Sequence, residues 1–155
     1  MTLSLVAGVA TAADGRDHRN AENTFTKWAI DTAPGPGVVF NMAGVVGGDV
    51  GPGGFAGEVL SLDVACPTLT IDARYHFNGS QHSFSALVHV VQTGCTVGGT
   101  AVITGVVTDG WLKGNQLAGS YDVISCSHTN GVTTDIITTD CFQGTLDILK
   151  GSKES

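Results

Sequence analysis

Apolar and polar residues alternate between residues 68 and 90, as they do in β-strands that have one buried face. In the segment TLTIDARYHF the apolar side chains fall at odd positions, and in HSFSALVHVV they fall at even positions. Two antiparallel strands place both sets on one face only if an odd residue pairs with an even one. A two-residue loop at Asn78-Gly79, or a four-residue loop over 78–81, meets that condition. The pattern therefore predicts a β-hairpin.

The same alternation continues downstream. Residues 101–108 (AVITGVVT) form a nearly pure β run, residues 116–125 place Leu117, Tyr121 and Val123 on one face, and residues 142–148 alternate again. No segment between these runs has helical periodicity, so no helical layer is available to cover a sheet. The sheet must then cover itself. We predict an antiparallel β-barrel of about eight strands, with a β-sandwich as the alternative.

Composition narrows the class of protein. The chain has 155 residues and 22 glycines, which suit one domain with many tight turns. Its net charge is −7 with seven Lys and Arg, which disfavours a nucleic-acid partner, because phosphate binding needs clustered cations. No apolar run approaches the length of a transmembrane helix, which predicts no membrane span. We assign residues 14–150 to the single domain and 151–155 to a polar tail.

The four cysteines and the N-terminal segment bear on the compartment. No CxxC pair occurs, and Cys66 with Cys95 and Cys126 with Cys141 each bracket a hairpin-like excursion, the second enclosing a polar stretch over 127–140. We predict these two disulfides, with four free thiols as the alternative. Residues 1–13 resemble a signal-peptide remnant with a small-residue cleavage site, although an N-terminal strand is the other interpretation. Together these features predict a secreted or periplasmic protein.

Candidate chemistry is sparse, and no cofactor or metal signature is present. Tyr75 and Tyr121 belong to apolar faces and would line the interior of a closed sheet. Glu58 is in phase with Leu60 and Leu62, so it also lies inside if those leucines do; the opposite phase places it in water. A desolvated carboxylate would have a raised pKa suited to proton transfer. We take Glu58, Tyr75 and Tyr121 as candidate catalytic residues.

Three further side chains are candidate ligand contacts. Phe84 lies on the apolar face of the predicted hairpin, His82 lies near its turn, and Trp111 lies between two turns where it would cover one end of the sheet. Such rings either stack on a ligand or cap the core.

The segments TLTIDARYHFNGSQHSFSALVHV and AVITGVVTDGWLKGNQLAGSYDVI together resemble the allene oxide cyclase and dirigent-like barrel group. The similarity covers about half the chain, and consists of a Thr/Gly-rich strand, a glycine-punctuated turn with an aromatic residue, and a Gly-containing next strand. It implies an eight-stranded barrel with an apolar pocket and a cofactor-free cyclase or isomerase activity. The cysteines depart from that group, and no catalytic residue is carried over.

Two functional hypotheses follow. In the first, the protein binds a hydrophobic small molecule and converts it without a cofactor. In the second, it is a non-enzymatic extracellular structural or assembly module that pairs strands, which allows a homo-oligomer. An interior cavity of a few hundred Å³ favours the first hypothesis. A packed interior, with residues 1–13 in intermolecular contacts, favours the second.

Overall fold

The computed structural model describes residues 19–153, and every regular element in that range is a β-strand. Residues 1–13, for which we predict a signal remnant or a strand, lie outside the described residues. The strands are β1 (Ala21–Ile30), β2 (Phe40–Gly48), β3 (Gly53–Ala65), β4 (Thr68–Gly79), β5 (Ser83–Thr93), β6 (Thr100–Gly110), β7 (Gln116–Thr129) and β8 (Ile136–Ile148).

Consecutive strands pair antiparallel, and β8 returns to pair with β1, from Ala21 opposite Ile148 to Lys27 opposite Phe142. The sheet is therefore a closed barrel, and the predicted fold is confirmed. Closure satisfies the backbone of strands that would otherwise be edges. No helix in the described part of the chain is long and apolar enough to cross a membrane.

The β4–β5 hairpin has the predicted parity but a different turn. Phe77 pairs with Phe84, an odd residue with an even one, whereas the strands are joined by residues 80–82 rather than by a loop that begins at Asn78. The backbone N–H groups of Gln81 and His82 donate to the carbonyl of Val50 at 2.8 and 3.1 Å. The neighbouring β2–β3 loop thus holds this turn in place. The sequence of the hairpin alone does not indicate this contact, so it could not predict the turn.

Aromatic side chains fill the middle of the barrel. Phe25 lies 6.1–6.5 Å, between ring centroids, from four other rings. Phe55 and Tyr75 meet edge to face at 5.0 Å, and Phe77 stacks on Phe84 at 4.8 Å. All of these rings are at most 4% exposed. The interior is therefore a packed core and not an open lumen.

The two ends of the barrel differ. The lower end carries the loops at 49–52, 80–82 and 111–115, and Val50, Trp111 and Leu112 pack there against the core. The upper end carries the loops at 31–39, 66–67, 94–99 and 130–135. Residues of β2, β4 and β8 near the upper end (Phe40, Ile71 and Phe142) are only partly buried, so the core is less completely covered there.

Both predicted disulfides are present, and no cysteine is free. Cys66–Cys95 joins the β3–β4 turn to the β5–β6 loop, with Cα atoms 6.1 Å apart. Cys126–Cys141 joins β7 to β8, with Cα atoms 5.8 Å apart. The polar stretch that it encloses is not an irregular excursion, because β7 and β8 remain paired as far as Thr129 and Ile136.

Candidate functional site

Lys27 is the most unusual residue of the interior. It belongs to β1, where Ala21, Asn23, Phe25 and Lys27 alternate inward and are all buried. Its side chain is 3% exposed. Lysine is almost never fully buried without a partner, because removing its ammonium from water is costly.

The Lys27 ammonium lies among apolar groups. Its Nζ is 4.6 Å from the ring centroid of Phe142, 4.9 Å from that of Tyr121 and 5.2 Å from that of Tyr75. It also donates to the sulfur of Met42 at 3.7 Å, a weak hydrogen bond. Ring faces attract a cation and so offset part of the desolvation cost of the charged form.

No carboxylate of the described residues forms an ion pair with this amine. Among residues 19–153, Lys27 is in none of the ion pairs, which all involve Arg74, His76 or His89. Burial lowers the pKa of Lys27 from 10.5 to about 7. A large fraction of the molecules therefore holds a neutral primary amine at neutral pH. A desolvated lysine of this kind can act as a nucleophile or as a base.

A cavity of about 30 Å³ adjoins the amine. It is lined by Lys27, Phe40, Met42, Val59, Ile71, Ala73, Tyr75, Tyr121 and Phe142. The volume accommodates about one or two water molecules. It lies well below a few hundred Å³, so a larger molecule could enter only with a small terminal group.

The predicted tyrosines lie beside Lys27. Tyr75 and Tyr121 are 1% and 2% exposed and both line the cavity. The Tyr121 hydroxyl donates to the buried Oε1 of Gln92 at 2.6 Å. Burial raises the pKa of Tyr121 and of Tyr75, and proximity to Tyr121 raises that of Tyr75 further. Both phenols stay neutral at physiological pH and can act there as hydrogen-bond donors.

The predicted ligand contacts gather at the opposite end of the barrel. His82 and Trp111 stack with ring centroids 3.9 Å apart, and Trp111 lies 6.5 Å from Phe84. Phe84 belongs to the buried core. These rings cap the lower end, and none of them lines the cavity at Lys27.

Glu58 does not point inward. Phe55 and Val59 are the buried residues of this part of β3, and Glu58 projects from the outer surface towards Arg74 at 2.7 Å and His76 at 2.8 Å. The inward phase fails because Leu60 is the extra residue of a bulge between Val59 and Ser61, which changes the alternation. Glu58 therefore lies outside the barrel and away from both candidate tyrosines.

Glu58 belongs to a polar row on the outside of β3, β4 and β5. His76 binds the Ser85 hydroxyl through Nδ1 at 2.7 Å and Glu58 through Nε2 at 2.8 Å. Ser85, His76 and Glu58 are thus linked in the order found in hydrolases, where a serine is the nucleophile, a histidine its base and a carboxylate orients the histidine. However, β4 and β5 are both flanked by strands that use their backbone N–H groups, which leaves few donors for an oxyanion beside Ser85.

A second outer pair lies along the same strands. His89 Nδ1 lies 2.8 Å from Asp72, and Ser61 donates to the other oxygen of that carboxylate at 2.9 Å. These hydrogen bonds lower the pKa of Asp72. Within the described range, no three His, Cys, Asp or Glu side chains are grouped as a metal site requires.

The sequence contains a signal for the burial of Lys27 that was not among the predicted site residues. The run TFTKWAI can be read with Phe25, Lys27 and Ala29 on one face or with Trp28 on the buried face. The first of these alternatives describes the structure, in which Phe25 and Lys27 are buried. Trp28 instead lies half-buried on the outer side, where it stacks on His128 with ring centroids 4.8 Å apart.

A scan against protein-family models, a search of the curated proteins and a search of the solved structures give no match to this chain. These comparisons leave the resemblance to the allene oxide cyclase and dirigent-like group untested.

Proposed function

We propose that this protein binds a small hydrophobic molecule at the upper end of its barrel, with the ligand's terminal group next to Lys27. The observation that carries the proposal is a buried amine with no acidic partner among residues 19–153, on the wall of a cavity. Such an arrangement costs folding free energy, so a functional role is a natural reason for its presence.

The lining supports an apolar ligand. Apart from Lys27 and the two tyrosines, every residue around the cavity is hydrophobic. Phe40, Ile71 and Phe142 line the cavity and are only partly buried, so they form the wall through which a ligand would enter. An unbranched chain could lie against these three side chains while its end group occupies the 30 Å³ beside the amine.

Conversion of the ligand, for example by a cofactor-free isomerisation or cyclisation, is an extension of this proposal. Lys27 could supply the base and Tyr75 a hydrogen-bond donor, since both line one cavity, whereas Tyr121 already donates its hydroxyl proton to Gln92. Glu58 has no place in such a reaction because it lies on the outer surface.

The alternative function is a structural or assembly module, and the filled aromatic interior favours it. Four apolar side chains are also exposed on the outer face of β5 and β6: Leu87, Val91, Val102 and Val106. Leu87 pairs with Val106 and Val91 pairs with Val102, so they form two apolar pairs on one face, separated by His89 and Thr104. Under this hypothesis, Val102→Lys dissociates an oligomer in sedimentation analysis and does not alter ligand binding.

The proposed compartment is extracellular or periplasmic. Two disulfides indicate an oxidising environment, in which such bonds form and persist.

Binding can be tested with n-octanol, an unbranched apolar ligand that cannot react with an amine. We expect a saturable complex in native mass spectrometry. Ile71→Trp, which narrows the opening, should abolish the complex, and Leu87→Trp, an equal enlargement on the outer face, should preserve it. Equal binding by both variants would place the ligand elsewhere and refute the proposal.

A further inference from the structure

We propose that Lys27 is a nucleophile that captures an unbranched aliphatic aldehyde as an imine. The inference rests on the proposed function, because it requires that the ligand's terminal group enter the cavity at the upper end. It adds the chemical class of that group.

The position of the amine is the first support. Lys27 Nζ is held between the rings of Phe142, Tyr121 and Tyr75, and its hydrogen-bond partner is a thioether sulfur. A thioether accepts only weakly. This contact uses an N–H of the amine and leaves its lone pair free. Among the described residues the Tyr121 hydroxyl donates to Gln92 and not to Lys27, and the cavity lies beside the amine.

The protonation state is the second support. Only the neutral amine attacks a carbonyl, and burial lowers the pKa of Lys27 to about 7. Among residues 19–153, the titratable groups that line the cavity with Lys27 are Tyr75 and Tyr121. Both have raised pKa values and are neutral at pH 7, so neither is an anion that would stabilise the protonated amine. An exposed lysine is neutral in roughly one molecule in two thousand at pH 7.

The size of the cavity is the third support. A volume of about 30 Å³ accepts a carbonyl group but not an aromatic ring or a branched head. The remaining alkyl chain would lie against Phe40 and Ile71 at the opening. A linear aldehyde has both a small end group for the cavity and an unbranched chain for the opening.

The step is balanced without a further reactant. The Lys27 nitrogen forms a bond to the carbonyl carbon, and the carbonyl oxygen leaves as water with the two protons that the nitrogen loses. No electron is gained or lost by the protein. Water leaves through the same opening, and the dry, apolar surroundings disfavour the reverse hydrolysis.

The test is reductive trapping with n-octanal and sodium cyanoborohydride at pH 7, followed by peptide mass spectrometry. We expect alkylation of Lys27 to be at least about tenfold faster than that of the exposed Lys113. The neutral fraction of Lys27 is about a thousandfold larger at pH 7. Its lower basicity makes it a weaker nucleophile and its burial restricts access, and both effects offset part of that gain. The advantage should shrink towards pH 10 as exposed lysines lose their protons. Ile71→Trp should remove the Lys27 product while Lys113 labelling stays unchanged. A wild-type near-ultraviolet circular dichroism spectrum of the variant would separate the role of the opening from a folding defect.

The outcomes distinguish the two proposals. If n-octanol binds but Lys27 is labelled no faster than Lys113, the imine is refuted and the binding site stands. If octanoate binds and octanal does not label Lys27, the cavity takes acids as ion pairs, which also refutes the imine. If neither n-octanol binds nor Lys27 reacts, both proposals fail.

Discussion

Replacing Lys27 by methionine should change how the stability of the protein depends on pH. Methionine has a similar length and no charge, so it fills the site without a titratable group. In the folded protein the pKa of Lys27 is about 7, and in the unfolded chain it returns to 10.5. Between these values the unfolded state binds one proton more than the folded state. The free energy of unfolding of the wild type therefore rises with pH across this interval.

The magnitude follows from the width of the interval. Each pH unit contributes about 1.4 kcal/mol, so the wild type should gain about 3 kcal/mol between pH 7 and pH 9.5 relative to Lys27→Met. Above pH 10 the buried Tyr75 and Tyr121 act in the opposite direction, because their raised pKa values favour folding only while the phenols are protonated. Measurements should therefore stop at pH 9.5.

The assay is urea unfolding of the oxidised protein, followed by near-ultraviolet circular dichroism at several pH values. Groups common to both proteins cancel in the difference between wild type and variant. Lys113→Met, at an exposed position, is the matched control and should retain the wild-type slope. Parallel curves for wild type and Lys27→Met would refute the reasoning, since they would mean that the amine remains solvated.

Three other substitutions test the packing and the bonds of the barrel by thermal or urea unfolding. Gly53→Ala should cost about 2 kcal/mol, because its Cβ would overlap a backbone oxygen of β4, whereas Gly54→Ala meets open space and should change stability by less than about 0.5 kcal/mol; equal effects would contradict this. Tyr121→Phe should cost about 1–2 kcal/mol by leaving a buried glutamine oxygen without its donor, and an unchanged midpoint would show that water replaces the phenol. Replacing both Cys126 and Cys141 by alanine opens a link across a sequence separation of 15 and should cost about 3 kcal/mol; no loss would indicate that β7 and β8 are held by their ladder alone.

The closed antiparallel barrel could be predicted because period-two alternation is local and repeats in strand after strand. Leu117, Tyr121 and Val123 are buried as their pattern indicates. The disulfides could be predicted for a related reason, because the two cysteines of each pair flank a segment that folds back on itself.

The features that could not be predicted from the sequence depend on contacts between segments that are distant along the chain. The turn after β4 is positioned by the carbonyl of Val50, which lies in another loop. The bulge at Leu60 reverses the phase that would have placed Glu58 inside. The burial of Lys27 escaped for a third reason, because the run TFTKWAI fits either a strand or a single helical turn, and a strand fixes no phase while Trp28 stands beside Lys27.

The most direct test of the account is the protonation state of Lys27 itself. In protein labelled with ¹³C and ¹⁵N at lysine, the Cε and Nζ shifts of Lys27 can be followed by NMR from pH 5 to pH 10, with Lys113 as an internal reference. We expect a midpoint near 7 for Lys27. A midpoint for Lys27 that coincides with the ordinary lysine value, near 10.4, would contradict it.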